Sequence, residues 1–184
     1  MDWDRLKEIC EERNRATEYE LALWELNRAR PTAMPGEPVY LHHLCTAGMN
    51  PGSKEATASW KKVYELAKEN LEKGTPAFPN EKYRAFVWNP VPAMFSDIQV
   101  WAEQTWGLTF YIDSMSFNHV PLIDTTSPDT MLRDLAINIA NGPMARHTRG
   151  PADSNYFPDM WEIIERFDID MIIMSGHVGC KNTQ

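Results

Sequence analysis

Residues 2–29 have the hydrophobic pattern of one long amphipathic helix. Strong helix formers dominate, neither Pro nor Gly interrupts them, and apolar positions recur at steps of three or four residues. Pro31 and Pro35 then predict the end of the helix. The predicted apolar stripe consists of Trp3, Leu6, Cys10, Thr17, Leu21 and Trp24.

A second helix is predicted over residues 53–73, with Ser53 as its N-cap and Gly74 as its C-terminal stop. The segment 36–52 between the two helices has no clear period, and it fits either a short helix or a buried extended segment.

From residue 83 onward, short apolar runs alternate with helical patterns, which indicates βαβ units and a parallel sheet. The predicted class is therefore α/β, with a Rossmann- or flavodoxin-like parallel sheet, flanking helices and the long helix in front. Residues 143–158 are rich in Pro, Gly, Asp and Ser and are predicted as a loop. The predicted strands are 83–88, 108–112 and 169–174, and the predicted helices are 95–106, 128–141 and 158–166.

Right-handed crossovers bring the carboxyl ends of parallel strands to one edge of the sheet, where ligands bind in open α/β folds. Loops 89–94, 113–121 and 175–180 are expected to meet there. The second loop carries Ser114, Ser116, Asn118 and His119, which either bind substrate or satisfy the backbone of a turn.

Charge and composition exclude several classes of partner. The 184 residues carry a net charge of −8 and contain no run of Lys and Arg, so a nucleic-acid surface is not expected. The longest apolar runs are too short to cross a membrane, and the N-terminus lacks a signal-peptide pattern. A cytoplasmic protein with no membrane partner is predicted.

Three cysteines without a C-x-x-C pair predict neither a disulfide framework nor a zinc site. Cys10 is predicted to lie in the core. His42, His43 and Cys45 lie close in sequence, but a metal site there is a weak hypothesis because no fourth ligand is near. Cys180 follows the last strand, where a thiolate binds a metal, attacks a substrate with His177 or His119 as base, or is simply structural.

Four segments in a fixed order resemble the benzoyl-CoA reductase / 2-hydroxyacyl-CoA dehydratase family over about residues 5–184. They are Glu12-Arg13-Asn14, Arg30-Pro31-Thr32-Ala33-Met34, Asn80-Glu81-Lys82-Tyr83-Arg84 and Gly179-Cys180-Lys181. The region 76–92 is somewhat closer to the benzoyl-CoA reductase branch.

The resemblance implies a subunit of an acyl-CoA enzyme that holds a [4Fe–4S] cluster, with Cys180 as one ligand. It further implies a homologous partner subunit and an ATP-dependent iron–sulfur activator that delivers single electrons. These would reduce an aromatic ring or form a ketyl-type radical anion that loses the hydroxyl of a 2-hydroxyacyl-CoA. Residues 1–35 would be a connecting helix and exit segment, and 36–184 an incomplete C-terminal α/β domain of a longer subunit.

The alternative is a non-catalytic assembly module in which Cys180 is structural and apolar surface docks a partner. A catalytic subunit would instead have further cysteines upstream.

Overall fold

Three parallel strands form a sheet in the order β2–β1–β3, in a computed structural model that describes residues 1–88, 95, 97–116 and 121–174. In register, Tyr83 of β1 lies opposite Leu108 of β2, and Ala85 lies opposite Met171 of β3. The parallel sheet confirms the predicted α/β class. The strands are β1 (Tyr83–Trp88), β2 (Leu108–Asp113) and β3 (Met171–Met174).

Helices cover both faces of this sheet. The helices are α1 (Trp3–Leu26), α2 (Gly36–His43), α3 (Lys54–Glu72), α4 (Asp97–Trp106), α5 (Pro128–Asn141), α6 (Pro143–Thr148), α7 (Ala152–Asn155) and α8 (Phe157–Phe167), and a π-helix (Leu44–Met49) continues α2.

Adjacent residues of β1 point to opposite faces, as strand geometry requires. Phe86 belongs to a core that α1 and α8 share, with Trp24 and Phe167 among its largest members. Val87 belongs to a second core on the other face, with Tyr40 of α2 and residues of α4. Burial on both faces explains why β1 ends in the continuous apolar run 85–88.

Helix α1 confirms the predicted long N-terminal helix, but it ends at Leu26, three residues earlier than expected. The Asn27 amide group accepts the N–H of Met34 at 3.0 Å and so turns the chain back. The predicted stripe is only partly buried: Cys10 is 1% exposed, whereas Trp3 and Leu21 lie on the surface. The buried face instead runs through Cys10, Ala16, Glu20, Leu23 and Trp24.

The second predicted helix is confirmed as α3, and the side chain of Ser53 accepts the N–H of Ala56 as the expected N-cap. The ambiguous segment 36–52 is helical over residues 36–49, as α2 and the π-helix. The loop predicted over 143–158 is wrong, because α6, α7 and the start of α8 lie there. Strand β3 begins two residues later than predicted, because Asp168 ends α8 in the left-handed conformation at φ 53°.

Candidate functional site

The carboxyl ends of the three strands lie at one edge of the sheet, as the parallel topology requires. Trp88, Asp113 and Met174 are the last residues of β1, β2 and β3. The loops that follow β1 and β3 lie outside the described residues, and so do His119 and Cys180. The described part of the site is built from the turn after β2 and from the helices that surround it.

Asp113 organises the turn after β2. One carboxylate oxygen accepts the backbone N–H of Met115 at 2.6 Å and that of Ser116 at 2.9 Å. The other accepts the hydroxyl of Ser116 at 2.9 Å. Burial raises the pKa of Asp113, although these donors and nearby His43 favour the charged form. The turn is therefore held by a carboxylate with almost no access to water.

The structure places Ser114 and Ser116 at the predicted sheet edge, and both are 3% exposed. The backbone N–H of Ser114 donates to the carbonyl of Val87 at 3.2 Å, which extends the pairing of β1 and β2 by one residue. The hydroxyl of Ser116 donates to the carboxylate of Asp113, not to the backbone of the turn. A role for either serine in substrate binding stays a prediction.

An aromatic cluster closes the site beside the end of β1. The rings of Trp88 and Tyr156 lie 4.0 Å apart, and His147 meets Tyr156 edge-on at 4.5 Å. Burial raises the pKa of Tyr156, while the neighbouring side chain of Ser114 acts in the opposite direction. Tyr156 thus links the helices of segment 143–167 to the turn after β2.

Asp159, in the first turn of α8, anchors this cluster. Its carboxylate oxygens meet Nε2 of His147 at 2.9 Å and the guanidinium of Arg146. Asp159 is 3% exposed, so the guanidinium of Arg146 and the contact with the His147 ring offset the cost of burying the charge. Arg146 is thus paired with a buried carboxylate.

A second histidine, His43 of α2, lies on the other side of Asp113. Its Nδ1 is 2.8 Å from a carboxylate oxygen of Glu20 on α1. Although burial disfavours the charged ring, the hydrogen bond to Glu20 raises the pKa of His43, and Asp113 adds to this effect. Neighbouring His42 packs edge-on against Trp60 at 4.3 Å, so the two histidines point to different partners.

The described residues do not form a metal centre. No three His, Cys, Asp or Glu side chains within them lie together as metal ligands would. Cys10 lies in a small core with Ile123 and Met131, and burial raises the pKa of its thiol, whereas Cys45 is exposed. Described cysteines alone therefore do not fit an iron–sulfur cluster.

Within the described ranges, no helix has the combination of length and apolar character that crossing a membrane requires.

Sequence reasoning missed Asp113, Tyr156 and Asp159. Asp113 carried a usable signal, because an acidic residue directly after a buried parallel strand lies at the edge where ligands bind. Tyr156 carried none, since its segment, 143–158, has the composition of a loop. Asp159 lies in the first turn of the predicted helix 158–166, where an acidic residue is ordinary.

Segment 80–84, one of the four that carry the family resemblance, has a structural role. Arg84 is fully buried and its guanidinium pairs with the carboxylate of Glu81. It also donates to the carbonyls of Ala29 and Phe167, at the ends of α1 and α8. This arginine therefore joins β1 to both helices that cover one face of the sheet.

The fold and the site together define an α/β protein with a group of polar and aromatic side chains at the carboxyl edge of a parallel sheet. The chain matches the family model for the D-component of 2-hydroxyglutaryl-CoA dehydratase over residues 1–184 and belongs to that family. It is thus a dehydratase-type component of an enzyme complex with partner subunits. No curated protein and no solved structure gives a significant match to the chain.

Proposed function

We propose that this chain is a subunit of an iron–sulfur-dependent 2-hydroxyacyl-CoA dehydratase that works with a homologous subunit and an ATP-dependent activator. The observation that carries the proposal is the family match over residues 1–184. The family's name supports dehydration of a 2-hydroxyacyl-CoA over reduction of an aromatic acyl-CoA.

Cys180 is the proposed cluster ligand in this chain. It is the sixth residue after Met174, the end of β3, and β3 is parallel to the two strands whose ends form the site. The cluster would supply single low-potential electrons, which the acid–base side chains of this site do not provide. Its other ligands would come from outside the described residues.

The chain's own residues would bind and orient the acyl-CoA. Ser114 and Ser116, with His119, follow β2 at the same edge, and Asp113 fixes the turn that carries the two serines. Trp88 and Tyr156 form an apolar wall beside this turn. A wall of this kind excludes water and so strengthens polar interactions with a bound thioester.

The test is the iron and acid-labile sulfide content of the protein, purified with its partner subunit in the absence of oxygen. We compare wild type, Cys180→Ala and Cys45→Ala; the last removes an exposed thiol and serves as the matched control. We expect Cys180→Ala to lose most of the iron of this subunit, and Cys45→Ala to keep it.

Two outcomes would contradict the proposal. Wild type without iron excludes the cluster, and a Cys180→Ala variant with full iron content removes Cys180 from the ligand set. In either case the assembly module becomes the better explanation. The substrate class is tested separately. A 2-hydroxyacyl-CoA is incubated with the protein, its partner subunit and the activator, and formation of the enoyl-CoA is measured by chromatography.

A further inference from the structure

Arg13 differs from its two neighbours in the Glu12-Arg13-Asn14 segment. Glu12 accepts the hydroxyl of Thr57 at 2.8 Å and so ties α1 to α3. The amide of Asn14 donates to the carbonyl of Ile123 at 2.8 Å and accepts its N–H at 2.9 Å. Both side chains are therefore used to hold the fold together.

Arg13 makes no hydrogen bond and no ion pair in the part of the chain that the structure describes. Its side chain is half-buried, and burial lowers the pKa of its guanidinium, which nonetheless stays charged at neutral pH. The charge of Glu20 favours the charged guanidinium, but the two side chains form no ion pair, and a partly desolvated cation without a direct partner is costly. An anion at this position would remove that cost.

A cavity of about 80 Å³ lies in front of Arg13. Thr17, one turn further along α1, lines it together with Glu20, His43 and Trp60. The loop before α3 closes one side and approaches α1 so tightly that a Cβ on Gly52 would lie 2.6 Å from a methyl carbon of Ile9. The volume holds a carboxylate or a phosphate group, since one water occupies about 30 Å³ in the liquid.

The carboxylate of Glu20, which also lines the cavity, is engaged by a different side chain. Glu20 is bound to Nδ1 of His43 at 2.8 Å, and Arg13 forms no ion pair with it. Arg13 is thus left facing the cavity without a direct partner. Thr17 supplies a hydroxyl donor four residues away on the same face of α1.

We propose that Arg13, assisted by Thr17, binds an oxyanion of the ligand in this cavity: a carboxylate of the acyl group or a phosphate of coenzyme A. That the oxyanion belongs to an acyl-CoA rests on the proposed function, whereas the anion site itself does not. His43 lies between this site and the sheet edge, and it interacts with Glu20 on one side and with Asp113 on the other.

The test is calorimetric titration of the full chain at pH 7 and low salt with glutarate and, separately, with inorganic phosphate. We compare wild type with Arg13→Gln, and use Arg15→Gln as the matched control, because Arg15 is an exposed arginine two residues along α1 that pairs with Glu12. We expect one-site binding of one of the anions to wild type and to Arg15→Gln with equal affinity. Arg13→Gln should weaken it at least about tenfold, the usual effect of losing a charge-assisted hydrogen bond.

Preferential binding of glutarate assigns the site to an acyl carboxylate, and preferential binding of phosphate assigns it to coenzyme A. The proposal is overturned if neither anion saturates wild type, or if Arg13→Gln binds as wild type does. If Arg13→Gln does not fold, Thr17→Val replaces it, and unchanged affinity in that variant overturns the proposal. None of these measurements depends on iron, so the anion site and the proposed cluster are tested independently of each other.

Discussion

Replacing Glu103 with glutamine should stabilise the protein at alkaline pH and leave its stability nearly unchanged under acidic conditions. Glu103 lies on α4, is 8% exposed, and accepts the N–H of Gly36 at 3.4 Å. Burial raises the pKa of its carboxyl group from 4.5 to about 7, and Glu37 and Glu81 add to this effect while the Gly36 N–H opposes it. Glutamine keeps an oxygen for Gly36 and removes the charge.

The direction in which the free energy of unfolding changes with pH follows from proton binding. Below pH 4.5 the carboxyl group is protonated in both the folded and the unfolded chain, and burial costs little. Between pH 4.5 and about 7 the folded chain binds more protons, so the free energy of unfolding falls as the pH rises. Each pKa unit is worth about 1.4 kcal/mol, so wild type loses about 3 kcal/mol over this range and Glu103→Gln does not.

The assay is urea denaturation of both proteins at several pH values between about 5 and 8, with the difference in unfolding free energy plotted against pH. The advantage of Glu103→Gln should grow by about 2 kcal/mol across that range. Glu65→Gln is the control: its carboxylate is exposed on α3, so its effect should stay within about 0.5 kcal/mol. Parallel curves for wild type and Glu103→Gln would refute the reasoning.

Two further variants test the buried polar contacts. Arg84→Met should lower the free energy of unfolding, measured by urea denaturation, by about 3–5 kcal/mol, because it leaves the carboxylate of Glu81, 1% exposed, without its cation. A loss below about 1 kcal/mol would contradict this. Adding Glu81→Leu to Arg84→Met should recover much of the stability. Asn14→Ala should cost about 2 kcal/mol, since both hydrogen bonds to Ile123 disappear. Faster hydrogen exchange at the Ile123 amide checks the second variant, and unchanged exchange would contradict it.

The elements with a clear hydrophobic period were predictable from the sequence, and the segment 143–158 shows why others were not. Its prolines indicated a loop, yet Pro143 begins α6, Pro151 caps α7 and Pro158 lies in the first turn of α8. Proline is well tolerated at these positions because the first N–H groups of a helix have no intrahelical partner. Composition alone does not distinguish a loop from three short helices that each begin near a proline.

The position of the site was predictable, whereas its contacts were not. Ser114 and Ser116 follow β2 at the sheet edge, as strand order and parallel topology require. The pairing of Tyr156 with this turn, and of Asp159 with His147, depends on how segment 143–167 folds back onto the end of β1. A periodic pattern states which face of an element is buried, but not which distant side chain it meets.

The residues that carry the family resemblance fall into two groups: those with hydrogen-bond or ion-pair partners in the fold, and those without. Glu81 and Arg84 satisfy each other and the ends of two helices, and Asn14 satisfies the backbone of Ile123. Such residues maintain the fold whatever the enzyme binds. Arg13 has the same sequence context, but its guanidinium forms no ion pair and no hydrogen bond with the described residues. A charge that folding leaves unpaired is therefore the better indicator of a ligand than the motif that contains it.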